Sequence, residues 1–364
     1  MSAPQASAGT AVRGQKARSL AEELRKGIAE LRWPAGRLPT EQALAREQGV
    51  SLNTVRRAVD LLVQDGLVYR KQGSGTYIAT ADKAEAGPLV GVAVPSMTYY
   101  YPRIIGGIER ELARHGAQMM LRSTDWDPAT ERQAIENLAN AGAAGLLLVP
   151  GLGETASGLW TDGLDGLGLP VVLVERGLEI PATLDEFVAS NHAAGAHSAI
   201  RHLVELGHTR IGYLERASAH TAAQVRSGLR AGLQNAGLGP DPTVSESLTR
   251  WTPKDAERFL DRLIAHRATA ALCFADREAA LLVSVAGRRG LDVPGDLSVI
   301  GYDDEVADLS EVPLTAVSPA KAEIGRLAVN VLRARLSDPD APRRQESLVP
   351  RLVVRDSTGP VRHG

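Results

Sequence analysis

The chain has 364 residues, 44% of them hydrophobic, a net charge of −2 and one cysteine. That length exceeds one ordinary domain, and so much apolar material confines disorder to ends and linkers. A lone Cys273, inside the apolar run ALCFA, excludes a disulfide framework or a four-cysteine metal site, and no run is apolar enough to span a bilayer.

The opening residues carry no apolar core of a secretory signal, so a cytoplasmic chain without membrane attachment is expected. Charge is spread unevenly. Residues 1–80 hold 12 Lys and Arg against 7 Asp and Glu, and the remainder holds 29 against 36. A basic module on an acidic body points to one part that meets a polyanion.

Residues 1–17 are small and polar and read as disordered. A helix follows, with Leu20, Leu24, Ile28 and Leu31 at helical spacing, and it stops before WPAGRLP, where Pro34, Gly36 and Pro39 forbid continuation. Thr40 can cap the next helix, TEQALAREQG, which closes at Gly49. Ser51 can cap a third helix whose Val55, Val59 and Leu62 form a buried stripe. That stripe leaves Leu52, Asn53 and Arg56 facing outward near the helix N-terminus, where a recognition helix meets base edges. Asn can pair with adenine, Arg with guanine or phosphate, and Leu with a thymine methyl. The segment GLVYRKQGSGTYIA then alternates as a hairpin, and its Arg70, Lys71 and Gln72 can reach the backbone or the minor groove. Periodicity and charge fit a small helical domain with Arg56 and Arg57 as a solvated face equally well.

The detail of LPTEQALAREQGVSLNTVRRAVDLLVQDGLVYRKQGSGTYI decides between them. Its LP-T-E opening, G-V-S turn, T-V-R-x-A helix and G-x-G-T wing tip resemble the DNA-binding domain of the GntR family over about residues 18–79. The resemblance implies a winged helix-turn-helix on double-stranded DNA, contacted by Thr40, Glu41, Gln42, Ser51, Leu52, Asn53, Thr54, Arg56, Gln72, Gly73 and Ser74. Gln42 and Leu52 stand where many members carry Arg, which implies a different operator preference.

Residues 80–88 read as a linker. From Leu89 apolar runs (LVGVAVP, AQMMLRS, AGLLLVP, PVVLVE, RIGYLE, TAALCFA, LSVIGYD) alternate with helical stretches, the pattern of an α/β fold whose parallel sheets are covered on both faces. The material is too much for one sheet, so two lobes are expected. The pieces SNHAAGAHSAIRHLVELGHTRIGYL, ALCFADREAA and GLDVPGDLSVIGYDD resemble the ligand-binding domain of LacI/GalR repressors, itself similar to periplasmic sugar-binding proteins, over about 89–356. GntR heads on such bodies are typified by arabinose-responsive repressors. The resemblance places lobe 1 at about 89–190 and 315–336, lobe 2 at about 191–314 and 345–356, and a tail at 357–364.

Ligands of such folds sit beyond the carboxyl ends of strands. That places Tyr100 and Tyr101, then Asp125, then Glu175 with Arg176 in the first lobe, and Arg226, Trp251 and Asp276 in the second. Carboxylates and guanidinium groups suit sugar hydroxyls, and an aromatic face suits the C–H surface of the ring. Each residue alone also has an ordinary surface or capping role, or at Trp251 a packing one.

Three other signals are set aside. Residues 151–156, GLGETA, fit a dinucleotide-binding glycine pattern with Glu175 about 24 residues on, but Pro150 interrupts the turn. His192, His197 and His202 recur every five residues, which spreads them around a helix, so no metal is expected. GntR heads also occur on pyridoxal-phosphate-binding bodies, yet beyond residue 80 only Lys83, Lys254 and Lys321 could form a Schiff base, and none is placed for it. No cofactor and no enzymatic activity are expected. The sequence reads as a homodimeric repressor on a palindromic operator, controlled by a mono- or oligosaccharide in the inter-lobe cleft. The alternatives are a ligand sensor whose basic head docks a protein partner, and a GntR-headed cofactor-binding enzyme.

Overall fold

A computed structural model of the chain describes residues 8–29, 32–33, 37–64, 67–71, 75–78, 87–151, 167–176, 186–217 and 221–362. The chain divides into two compact units between Gly87 and Pro88.

The first unit opens with α1 (Ala8–Ala29), ten residues earlier than the sequence suggested, so residues 8–17 are helical rather than disordered. Ala, Arg, Lys, Gln, Leu and Glu dominate this stretch, all strong helix formers, and no proline interrupts it. Then come α2 (Glu41–Glu47) and α3 (Leu52–Gln64). Leu20 and Leu24 of α1 join Leu38, Leu44, Val55, Val59, Leu62 and Val68 in one core. The expected stripe of α3 is therefore its buried face. The hairpin is β1 (Val68–Lys71) antiparallel to β2 (Gly75–Ile78), with Tyr69 stacked on Tyr77 at 5.7 Å between centroids. The tip, residues 72–74, residue 79 and residues 80–86 of the expected linker lie outside the described residues, and Gly87 and Pro88 already belong to the next strand.

The second unit starts with β3 (Gly87–Val94), α4 (Tyr101–Arg114), β4 (Ala117–Ser123), α5 (Pro128–Asn140), β5 (Gly145–Leu148), β6 (Val171–Val174) and β7 (Glu186–Ser190). It continues through α6 (His192–Glu205), β8 (Ile211–Arg216), α7 (Ala222–Asn235), β9 (Val244–Leu248), α8 (Pro253–Ala265), β10 (Ala270–Cys273), α9 (Asp276–Arg288), β11 (Ser298–Tyr302) and β12 (Thr315–Ser318). It closes with α10 (Lys321–Ser337), β13 (Gln345–Leu348) and β14 (Arg351–Val353). Two six-stranded sheets result, in the orders β13-β7-β6-β5-β3-β4 and β14-β12-β11-β10-β8-β9. Strands β3, β5, β6, β7 and β13 are parallel, as are β9, β8, β10, β11 and β12, while β14 runs against β12. Their buried, uniformly apolar strands are those of a sheet covered on both faces.

The lobe boundaries differ from the expected ones. Strand β12 belongs to the second sheet, not the first, and β13 belongs to the first, not the second. The chain therefore crosses between lobes after Ser190, after Ser318 and after Leu348. The reason is visible in the pairing: β12 extends the parallel register from β11, Ile300 opposite Thr315, before α10 carries the chain back to β13 beside β7.

Each lobe contains a helix pair packed too closely for side chains. A Cβ on Gly107 of α4 would lie 2.2 Å from the Ala322 carbonyl oxygen of α10, and one on Gly325 would lie 2.3 Å from that of Ile104. In the second lobe, a Cβ on Gly228 of α7 would stand 1.9 Å from the Ala193 carbonyl oxygen of α6. These helices hold the strand ends where the cleft residues sit. Among the described residues no helix is long and apolar enough to cross a membrane.

Candidate functional site

The first unit presents α3 as an exposed helix on a capped turn. Thr40 Oγ1 accepts the Ala43 N–H at 3.2 Å, and Ser51 Oγ accepts the Thr54 N–H at 3.2 Å while its hydroxyl bonds that of Thr54 at 2.8 Å. Both residues therefore fix helix starts, one orphan donor each. Gln42, Asn53 and Arg56 are exposed, and Leu52 is half-buried. Glu41 bridges two cations: its carboxylate meets Arg56 Nε at 3.0 Å and Arg70 at 3.4 Å, and Arg70 also reaches Asp60 at 2.6 Å. Glu41 thus ties the recognition helix to the wing strand. The expected wing-tip contacts Gln72, Gly73 and Ser74 lie outside the described residues.

The second unit holds a cavity of about 570 Å³ at the carboxyl ends of the strands of both sheets. Four expected residues line it: Tyr100, Tyr101, Glu175 and Arg176. Tyr100 donates its hydroxyl proton to Glu175 Oε1 at 2.6 Å, and His192 Nε2 lies 3.2 Å from the same oxygen. Burial first, then the neighbouring Glu175 carboxylate, pushes the Tyr100 phenol well above its ordinary range, so it stays a donor. On the far face of the Tyr100 ring, Lys321 Nζ sits 5.0 Å from the centroid and 2.8 Å from Glu305 Oε1, donating also to the Asp303 carbonyl. That lysine is structural. Arg176 donates to the Pro150 carbonyl at 2.9 Å and lies 3.4 Å from the Tyr101 hydroxyl, its guanidinium 4.7 Å from the centroid of Trp126. Burial raises the Tyr101 phenol to about 12 against the pull of Arg176.

The other four expected residues lie elsewhere. Asp125 is exposed and accepts from Ser123 Oγ at 2.7 Å; it and Trp126 adopt φ of 50° and 63°, a left-handed turn that delivers Trp126, not Asp125, to the cleft. Arg226 of α7 pairs with Glu215 of β8 at 3.3 Å. Trp251 packs edge-on against Phe259 at 6.0 Å on the second lobe's core, behind Arg216 and Glu278. Asp276 is fully buried: its Oδ2 accepts the N–H groups of Glu305, at 2.6 Å, and Val306, at 3.2 Å. It fastens the loop after β11 instead of lining the cavity.

The sequence reading missed Ser96, Thr98, Tyr99, Trp126, His192, Arg216, Phe274, Arg277 and Glu278, all of which line the cavity. Most follow directly on a strand end, so the strand-end rule contained the signal; Arg277 and Glu278 sit next to the chosen Asp276. Arg216 pairs with Glu278, and Arg277 lies 4.4 Å from the centroid of Tyr99. Glu175 Oε2, Glu278 Oε2 and the Tyr99 hydroxyl are buried and have no hydrogen-bond partner among the described residues. Residues 152–166, which hold most of the glycine pattern, lie outside the described residues. His192, His197 and His202 meet Tyr302, Asn235 and Thr358 respectively, three separate partners.

Residues 16–78 match the gntR family of bacterial regulatory proteins, and residues 200–358 match the periplasmic binding protein-like domain. The chain is 30% identical over 350 residues to the arabinose metabolism transcriptional repressor of Halalkalibacterium halodurans, covering 89% of this chain and 91% of that protein. It is also 30% identical over 343 residues to the repressor of the same name from Geobacillus stearothermophilus, covering 89% and 92%. Among solved structures, a complex of the transcriptional regulator CelR with cellobiose superposes with a TM-score of 0.65 at 22% identity, covering 88% of this chain and all of that one. A LacI transcriptional regulator from a Rhodococcus species gives 0.63 at 27% identity, covering 76% and 100%.

Head, body and relatives together define a DNA-binding transcriptional repressor and not an enzyme. The chain belongs to the GntR-headed regulators that carry a periplasmic-binding-protein-like effector domain of the LacI type.

Proposed function

We propose that the chain acts as a homodimer on a palindromic operator and that a sugar in the cleft sets its affinity for that DNA. The observation that carries the sugar is the pair of buried acceptors, Glu175 Oε2 and Glu278 Oε2, one from each lobe, unpartnered beside the rings of Trp126 and Phe274. A carboxylate oxygen without a donor is costly in a buried site, and a polyol supplies hydroxyl donors while its C–H face covers an aromatic ring. The names of related proteins agree, one referring to arabinose metabolism and another to a cellobiose complex. Because the acceptors come from different lobes, a bound sugar favours one lobe arrangement over another, and that difference is the only source of coupling to the head.

Asn53, Arg56 and Gln42 reach the major groove in this reading, with Leu52 against a methyl group, Thr40, Ser51 and Thr54 near phosphates at helix starts, and the wing residues Gln72, Gly73 and Ser74 on the flanking backbone. A thermal-shift screen of mono- and oligosaccharides tests the effector. A ligand at 100 times its Kd stabilises by about 2.7 kcal/mol, a rise of several degrees. Stabilisation by a sugar supports the proposal; a panel that leaves Tm unmoved contradicts it.

A further inference from the structure

The charges of the cleft do not balance among themselves. Three guanidinium groups, Arg176, Arg216 and Arg277, line it against two carboxylates, Glu278, which pairs with Arg216, and Glu175, which accepts from the neutral Tyr100 hydroxyl. Arg176 and Arg277, contributed by opposite lobes, have no carboxylate within ion-pair distance among the described residues. Arg176 is only 9% exposed, its two hydrogen-bond acceptors, a carbonyl and a phenol, are both neutral, and the Glu131 carboxylate within its electrostatic reach makes no ion pair with it. A guanidinium has five N–H donors, so most of this one is unused in a site with restricted water.

Arg277 adds a second observation. It stands in the first turn of α9, whose N-cap residue Ala275 supplies no side-chain acceptor. Ala275, Arg277 and Glu278 all line the cavity, so the positive end of a thirteen-residue helix opens on it. Of the two anions in that first turn, Asp276 is turned away onto Glu305 and Val306, and Glu278 is paired with Arg216.

We infer that the effector is an acidic sugar, a uronic or aldonic acid whose carboxylate is held between Arg176 and Arg277. The inference rests on the sugar reading above and narrows it. Hydroxyls of a neutral sugar occupy the N–H donors but leave the one excess positive charge of the lining in place, whereas a carboxylate meets a guanidinium in a planar, bidentate, charge-assisted pair. The hydroxyl-bearing remainder of the same molecule then serves Glu175 Oε2 and Glu278 Oε2.

The test is calorimetric titration of the full chain with D-glucuronate, D-galacturonate and D-gluconate beside D-glucose, D-galactose and the oligosaccharides that fit the cavity, at low and high salt. At least one acid binds tenfold or more tightly than its neutral parent, and high salt shrinks that advantage. Arg277→Gln, at an exposed position whose loss leaves the fold intact by circular dichroism, brings the acid-to-parent ratio toward one. A neutral sugar that binds as tightly as its acid, or an unchanged ratio in Arg277→Gln, overturns the acidic effector while leaving the sugar reading in place. Failure of every saccharide, acidic and neutral, to bind removes the sugar reading and this inference with it.

Discussion

Glu131 is 3% exposed, and its carboxylate accepts the Gly151 N–H at 2.8 Å just below the cleft. Burial raises its pKa from 4.5 to about 6, against the pull of that N–H and of Arg176. A raised folded-state value means the protonated form suits the fold better. Its contribution is complete below pH 4.5 and is lost as pH rises through about 6, a loss of about 2 kcal/mol. Urea midpoints measured from pH 4 to pH 7 should fall across that window, and Glu131→Gln should flatten the fall by about that amount. Asp276, raised by its burial to about 6, titrates in the same direction over the same range. Removing it strands two buried N–H donors, so Asp276→Ala should cost about 2–4 kcal/mol of unfolding free energy by urea titration. A ligand-contact residue on the cavity wall would instead lower affinity with little change in stability. In the head, Arg56 is exposed and paired with Glu41 at 3.0 Å. Arg56→Ala should weaken operator binding about tenfold or more by fluorescence anisotropy and reduce the salt slope by about one unit. Residues of this kind were half legible in the sequence. Strand-end position found Glu175 and Arg176, but which way a side chain turns depends on local backbone. The left-handed pair Asp125 and Trp126 reverses the expected choice, and the 276–278 turn shows Arg277 and Glu278 to the cleft and buries Asp276.

Elements were more legible than side chains, because apolar periodicity is set by burial that the fold must satisfy. The seven apolar runs read from the sequence became β3, β4, β5, β6, β8, β10 and β11. Strands β9, β13 and β14 escaped because they lie at or near sheet edges, where burial alternates or lapses and no continuous apolar run is required. The crossover at β12 escaped for another reason: Thr315–Ser318 is equally compatible with either sheet until its pairing partner is known. Helix α1 extends further than expected because small polar residues favour disorder by composition and helix by propensity alike. The helix-interior glycines read as neutral, yet they set how closely α4 meets α10. Gly325→Ala places a methyl against the Ile104 carbonyl and should cost about 1–3 kcal/mol, seen as a lower Tm. Gly116, whose φ is 66° and whose Cβ would meet nothing, should cost less on the same substitution.

At the scale of the whole molecule, a basic reading head and an acidic two-lobed sensor are joined in one chain, and the distribution of charge along the sequence already marks that division. The chain crosses between the lobes at three short connections, after Ser190, Ser318 and Leu348, so any rotation of one lobe on the other is confined to them. Ion pairs span the same region: Glu305, on the second lobe's loop after β11, meets Arg103 of α4 at 3.3 Å and Lys321 of α10 at 2.8 Å. A head that binds duplex DNA neutralises several phosphates. The central claim is that this basic head binds duplex DNA. Its most direct test is an anisotropy titration of the full chain on the duplex upstream of its own gene at several salt concentrations. Log affinity should fall with log salt at a slope of about −4 or steeper. A flat salt dependence would contradict it, and would instead favour a head that docks a protein partner.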